Sequence, residues 1–163
     1  MLALKVFTSN LHGAYQTSFA YPPVGEWTPS RPAALCSSGY HVANKLTDLQ
    51  WYIRNDRFKI FVVECRDDRK AGADKSVFSQ IRLIQEVKID NETIVKCYNL
   101  LKTRYESWFN KKEKLRRIFN LIWIEKDKKK LDRVAKLLNI PRFLLKRDLQ
   151  KVIHAVAAGK QKA

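Results

Sequence analysis

Apolar and polar positions change period once along this chain. Up to about residue 90 they favour a period of two; beyond it they recur at 3.6. Leu2–Phe7 alternates and predicts a strand, followed by a turn at Asn10–Gly13. The aromatic stretch Tyr15–Tyr21 predicts a second short strand. Pro22, Pro23, Gly25, Pro29 and Pro32 hold residues 22–34 as a loop. Leu46, Leu49 and Ile53 share one face of a helix predicted over Asn44–Asn55. Lys59–Cys65 (KIFVVEC) is the best central strand. Arg66–Asp74 is a charged loop, and Val77–Ile89 is a further strand or a long hairpin arm.

Past Asp90, the spacing of Ile94, Cys97, Leu101, Tyr105 and Trp108 predicts a helix capped by Asn91. Leu115, Ile118, Phe119, Ile122 and Trp123 mark a second helix. Leu131, Val134, Ala135 and Leu138 mark a third. Leu144, Leu145, Leu149, Val152 and Val156 mark a fourth, after Pro141. The expected fold is α+β: a small N-terminal β-sheet module with one helix (residues 1–90), followed by a basic all-α C-terminal module (91–158). Residues 159–163 read as a disordered tail.

Charge sharpens this division. Residues 1–92 carry 12 Lys+Arg against 10 Asp+Glu, whereas residues 93–163 carry 20 against 6. A half with that excess of cations repels itself unless an anionic partner lies against it. Nucleic acid is the commonest such partner, because phosphates release counterions when neutralised. An acidic protein surface and a plainly solvated helical face are the alternatives. The 163 residues are 45% hydrophobic, which excludes a globally disordered chain. No apolar run reaches the roughly 18 residues of a membrane span, and the N-terminus is unlike a secretory signal. Cys36, Cys65 and Cys97 fit neither a disulfide framework nor a zinc pattern. They are expected to be reduced and mostly buried, in the cytoplasm.

Trp27-Thr28-Pro29, Cys36-Ser37-Ser38-Gly39-Tyr40-His41, the strand ending at Glu64, Asp74-Lys75 and Arg82-Leu83 together form a recognisable pattern. It resembles an uncharacterised domain family of bacteriophages and bacteria with a W-x-P … C-x-x-G-[YFL]-H … D-K … R-L signature. The resemblance spans residues 3–87 and implies a phage or prophage origin more than a chemistry. A second likeness lies in the order Leu11-His12-Gly13, Gly39-Tyr40-His41, helix, strand. This is similar to the ADP-ribosyltransferase fold. It would imply that His12, Tyr40 and Glu64 or Glu86 hold a nicotinamide ribose, stack on the ring and orient the acceptor. His41 is expected to be mainly structural, with His12, Tyr40, His41 and Glu64 as the candidate pocket residues. The chain has no phosphate-binding glycine loop, nucleophile elbow or H-E-x-x-H motif, and no cofactor or metal is expected.

Leu131–Val156 resembles a helix-turn-helix. Ala135 is small where two helices would touch, Asn139 tolerates left-handed geometry, Ile140 plugs the corner and Pro141 starts the next helix. The resemblance implies a recognition helix from Pro141 to about Ala157, presenting Arg142, Lys146, Arg147, Gln150 and Lys151 to bases or phosphates. Lys111, Lys112, Lys114, Arg116 and Arg117, then Lys126, Lys128, Lys129 and Lys130, are the candidate phosphate clamps. Tyr105, Trp108, Phe109 and Trp123 interleave with them, and their helical spacing predicts core positions rather than stacking platforms.

The sequence therefore points to a binding protein rather than an enzyme. The expectation is a phage-type accessory or regulatory protein that docks on DNA, RNA or a nucleoprotein complex in the host cytoplasm. A transferase-like enzyme, and an inhibitor bound to an acidic surface of a host protein, are the rival readings.

Overall fold

A computed structural model describes residues 1–15 and 17–146. Six strands form one antiparallel sheet: β1 (Leu2–Thr8), β2 (Tyr40–Ala43), β3 (Phe58–Cys65), β4 (Lys70–Ala71), β5 (Lys75–Phe78) and β6 (Ile81–Glu86). Their order is β4-β5-β2-β1-β3-β6. The β-branched run of β3 pairs with β1 along seven positions, from Leu2↔Glu64 to Thr8↔Phe58. By contrast, β1 and β2 share one register pair, Leu4↔Ala43, and diverge beyond it. Four helices follow: α1 (Asn91–Leu100), α2 (Lys111–Ile124), α3 (Lys128–Leu138) and α4 (Phe143–Lys146). The fold is thus α+β, a sheet followed by helices. No helix among the described residues is long and apolar enough to cross a membrane.

Several boundaries differ from the sequence expectation. The described residues of Tyr15–Tyr21 form no strand; Tyr15 stays exposed, while Tyr21 meets Phe7, Phe19 and Tyr40 edge to face and Phe19 lies tilted on Tyr40. The predicted helix after Asn44 is a 3-10 helix, Leu46–Tyr52, burying Leu46 and Leu49. The long 77–89 arm breaks at Ser79–Gln80, where the Ile81 N–H takes Thr28 Oγ1 (3.0 Å) in place of a ladder partner. Asp90, not Asn91, caps α1, accepting from the Thr93 N–H at 2.8 Å. The first helix also stops at Leu100 instead of running to Trp108. Lys102 turns left-handed (φ 53°), and the Thr103 N–H reaches back to the Tyr98 carbonyl at 3.1 Å, closing a Schellman-type end. Cys36 is exposed and left-handed (φ 57°), while Cys65 and Cys97 are buried as expected.

One hydrophobic core runs through both halves. Ile60, Val62 and Leu83 of the sheet join Leu46 and Leu49 of the 3-10 helix and Ile94, Leu115, Ile118, Val134 and Leu144 of the helices. A main-chain seam fixes the end of α3 to the end of β6. The Lys88 N–H donates to Leu138 O (2.9 Å), Asn139 Nδ2 donates to Glu86 O (2.9 Å), and the Gln85 amide donates to Asn139 O. Asn139 can make this turn because it is left-handed (φ 57°, ψ 44°), a geometry asparagine tolerates. On the other side of β6, residues 25–31 run as a strap, with N–H groups donating to the carbonyls of Leu83, Ile81 and Ser79.

Two glycines with φ near +90° separate strain from crowding. At Gly39 an added Cβ would meet Val77 Cγ2 at 2.7 Å and Phe78 O at 2.8 Å; at Gly25 it would meet nothing within 4 Å. Gly39→Ala should lower stability by about 3 kcal/mol or more, and Gly25→Ala by only about 1–2 kcal/mol. Urea midpoints of the two variants check this, and equal losses would contradict it.

Candidate functional site

Two regions concentrate functional groups: the basic outer surface of the helices and a cleft where β1 and β2 part. On the helices, each candidate clamp residue has its own fate. Lys114 is buried at 9% exposure, its ammonium over the Tyr105 ring. Lys111 lies over the Phe58 ring, with its ammonium 4.9 Å from the centroid. Arg116 faces Glu113 (3.8 Å), Arg117 faces Glu106 (3.3 Å), and Lys130 faces Glu125 (3.5 Å). Arg142 is paired with Asp132 at 3.0 Å. Lys112 and Lys146 are half-exposed. Arg147, Gln150 and Lys151, like the tail 159–163, lie outside the described residues.

The densest group without ion pairs is a stripe on α3 and just before it. Lys126, Lys128, Lys129, Arg133 and Lys136 are exposed, and among the described residues none of them takes part in an ion pair. Lys129, Arg133 and Lys136 recur at i, i+4 and i+7, one helix face. Two aromatic rings expected in the core are on the surface instead: Trp123 is 46% exposed and Trp108 76%. Trp108 is outside because its segment is loop rather than helix, so helical spacing no longer applies. Trp123 sits in the last turn of α2, beside the exposed Ile124 and just before the α3 stripe.

The cleft has a volume of ≈ 480 Å³ and draws on six separate segments of the N-terminal half. Lys5 and Val6 come from β1, and His41, Val42 and Ala43 from β2. Gly13–Tyr15, Cys36–Ser37, the 3-10 helix and Asp74–Lys75 complete the wall. The divergence of β1 from β2 leaves the His41 carbonyl facing no strand N–H, and the Lys5 ammonium donates to it. Burial pushes the Lys5 ammonium down to about 8. His41 Nε2 accepts from the Cys36 N–H at 3.2 Å. Burial, reinforced by the Lys5 and Lys75 charges, lowers the imidazole to about 4, so the ring is neutral at pH 7. Tyr52 donates to Asp74 Oδ2 at 3.0 Å, and its phenol is held well above the usual range by burial and that bond.

Of the four residues expected to form a pocket, His41 lines the cleft and the others do not. Tyr40, next in sequence, points to the opposite face of β2. It is fully buried among Phe19 and Tyr21, with its hydroxyl donating to Pro29 O (2.8 Å). Glu64 is held by Arg82 at 2.6 Å on β6. His12 sits in the turn after β1, its Nδ1 donating to Thr17 O. The structure therefore does not bring His12, Tyr40 and Glu64 to one cleft. Glu86, the other acid considered, faces Lys59 at 3.9 Å. Sequence reasoning missed Lys5, Tyr15, Trp51 and Tyr52. The one signal for Lys5 was a lysine inside an otherwise apolar strand. No group of three or more His, Cys, Asp or Glu side chains among the described residues is placed to hold a metal ion.

Residues 1–95 match a family described as a domain of unknown function, DUF7666, and the chain belongs to that family. The match takes in the whole sheet, the cleft and the first turn of α1. No curated protein and no solved structure matches the chain.

The depressed imidazole has a consequence for acid stability. The unfolded chain takes up a proton on His41 near pH 6.5, while the folded chain resists until about 4. Stability should thus fall as pH drops from 6.5 towards 4, by on the order of 1–2 kcal/mol once solvent screening of this partly exposed ring is allowed for. Urea unfolding at stepped pH checks this. His41→Gln, which has no proton to gain, should show a shallower slope in that window.

Proposed function

We propose that this DUF7666 member binds nucleic acid, or a nucleoprotein complex, through its C-terminal helices. The observation that carries this reading is the α3 stripe. Glu92 and Glu113 stand in the first turns of α1 and α2, where the positive end of the helix dipole favours acids. The first turn of α3 has no acid and carries Lys128, Lys129 and Lys130 instead. Asp127 caps the helix and offsets part of that cost. Lys130 has Glu125 as a partner, but Lys128 and Lys129 are set against the dipole with no ion pair among the described residues; such violations of local folding preference concentrate where a partner supplies the compensation. A polyanion running along Lys126, Lys129, Arg133 and Lys136 supplies it.

The finer reading is a helix-turn-helix made of α3, the Asn139 turn and α4. It is supported by Ala135 at 4% exposure, the left-handed Asn139, and the buried Ile140 and Leu145. In this reading Arg142, released from Asp132, joins the stripe on the nucleic acid. The phage-type accessory role rests on the sequence resemblance together with this surface. No observation favours the transferase reading over it, given how Tyr40 and Glu64 are engaged.

Substitution is the test, because the shared core makes deletion of the helices a folding experiment. Lys128→Glu with Lys129→Glu should weaken binding to labelled single-stranded DNA, duplex DNA or RNA at least about tenfold at moderate salt. It should reduce the log–log salt slope by about two. The same pair should raise the melting temperature, since each acid in that turn contributes about 0.3–1 kcal/mol. Fluorescence anisotropy across a salt series, paired with thermal melts, reads both. Affinity that is unchanged, or absent for all three probes at low salt, overturns the reading; in the latter case an acidic protein surface fits the same stripe.

A further inference from the structure

The cleft between β1 and β2 is independent of the helical surface, and it has a recognisable chemistry. Its charged floor is Lys5, 8% exposed and central in the sheet. The ammonium has one hydrogen-bond acceptor, the His41 carbonyl, and no carboxylate partner among the described residues. The Phe7 and Tyr21 rings lie 5.7 and 5.4 Å from it and offer only their faces. A buried cation with donors to spare is costly to keep. At this position an apolar side chain would pack without that cost.

The mouth of the cleft is aromatic and held in place. Trp51 is 64% exposed and Tyr15 60%. The Tyr15 hydroxyl donates to Trp51 O at 2.9 Å, its ring meets Tyr52 edge to face at 5.9 Å, and Arg54 covers it at 4.8 Å. An exposed ring held beside a cavity, as Tyr15 is, with the exposed Trp51 next to it, is suited to stacking on a flat ligand. The other ionisable groups facing the cleft are Asp74, Lys75, His41, Cys36 and the phenols of Tyr15 and Tyr52. His41 is neutral, and Lys5 and Lys75 outnumber Asp74, so the net character of the cleft is cationic. The volume suits a small molecule.

We propose that this cleft binds a small organic anion carrying a planar ring, with the anionic group on Lys5 and the ring against Trp51 and Tyr15. An aromatic carboxylate and a nucleoside monophosphate share that chemistry. Binding retains the Lys5 proton, so affinity falls as pH rises through about 8.

Calorimetric titration of the full chain with benzoate and with adenosine 5′-monophosphate, against benzamide and adenosine, tests this. At least one anion should bind about tenfold or more tightly than its neutral counterpart. Lys5→Met should abolish that preference, Trp51→Ala should weaken binding several-fold, and Lys128→Ala with Lys129→Ala should leave it unchanged. The preferred anion identifies the source. Should Lys5→Met not fold, the Lys5 titration followed by NMR replaces it, and its midpoint should rise on adding the anion. Failure of both anions at millimolar concentration overturns the proposal. So does equal binding of the neutral compounds, an unmoved Lys5 midpoint, or binding lost with Lys128 and Lys129 instead of Lys5. None of these results bears on oligonucleotide binding by α3, so the two readings fail separately.

Discussion

The seam between the end of β6 and the end of α3 sets the geometry of everything C-terminal to the sheet. It consists of three hydrogen bonds around one left-handed residue, with Asn139 using its side chain on Glu86 and its carbonyl on Gln85. An asparagine suits it because the turn needs positive φ and a donor at once; glycine would supply only the first. With the seam in place, Val134 and Leu138 drop into the core beneath, and the opposite face of α3 has to point outward. The cationic stripe is therefore a corollary of how the helix is tethered.

Charge along the helices is uneven in a way composition does not reveal. Several basic residues have a local answer: an acid three to eleven positions away, or an aromatic ring. Surface pairs of this kind contribute little stability, but they remove cations from the pool open to a partner. The densest run of what is left lies along α3 and the residue pair before it. The apolar corner of Trp123 and Ile124 adjoins it.

Much of the fold was legible from side-chain periodicity. The switch from strand to helix falls at Asn91, β3 lies within one residue of the KIFVVEC run, and the left-handed turn is at Asn139. Errors arose where a local signal was overridden from a distance. Helical spacing continued to Trp108, but the backbone had already turned at Lys102. Aromatic residues at 15–21 have strand propensity, yet Phe19 and Tyr21 serve as plugs against β1 and β2. The cleft was the least legible part. Its wall draws on six short segments whose meeting depends on β1 and β2 parting after one register pair, which nothing in either strand announces. Lys5 was visible as an oddity, but its neighbours were not.

The strap at residues 25–31 also limits how the sheet can meet other chains. It occupies the outer carbonyls of β6, and the Arg66 and Arg82 guanidiniums lie 4.1 and 5.0 Å from the Trp27 ring centroid, fastening it there. The opposite border is β4, two residues long and bearing Lys70. Among the described residues one border is covered and the other is short, so strand addition, the usual way an exposed sheet recruits a peptide or a second copy of itself, finds little template in them. A macromolecule that engages the described surface would meet side chains, on the helices or at the mouth of the cleft, more readily than an open backbone.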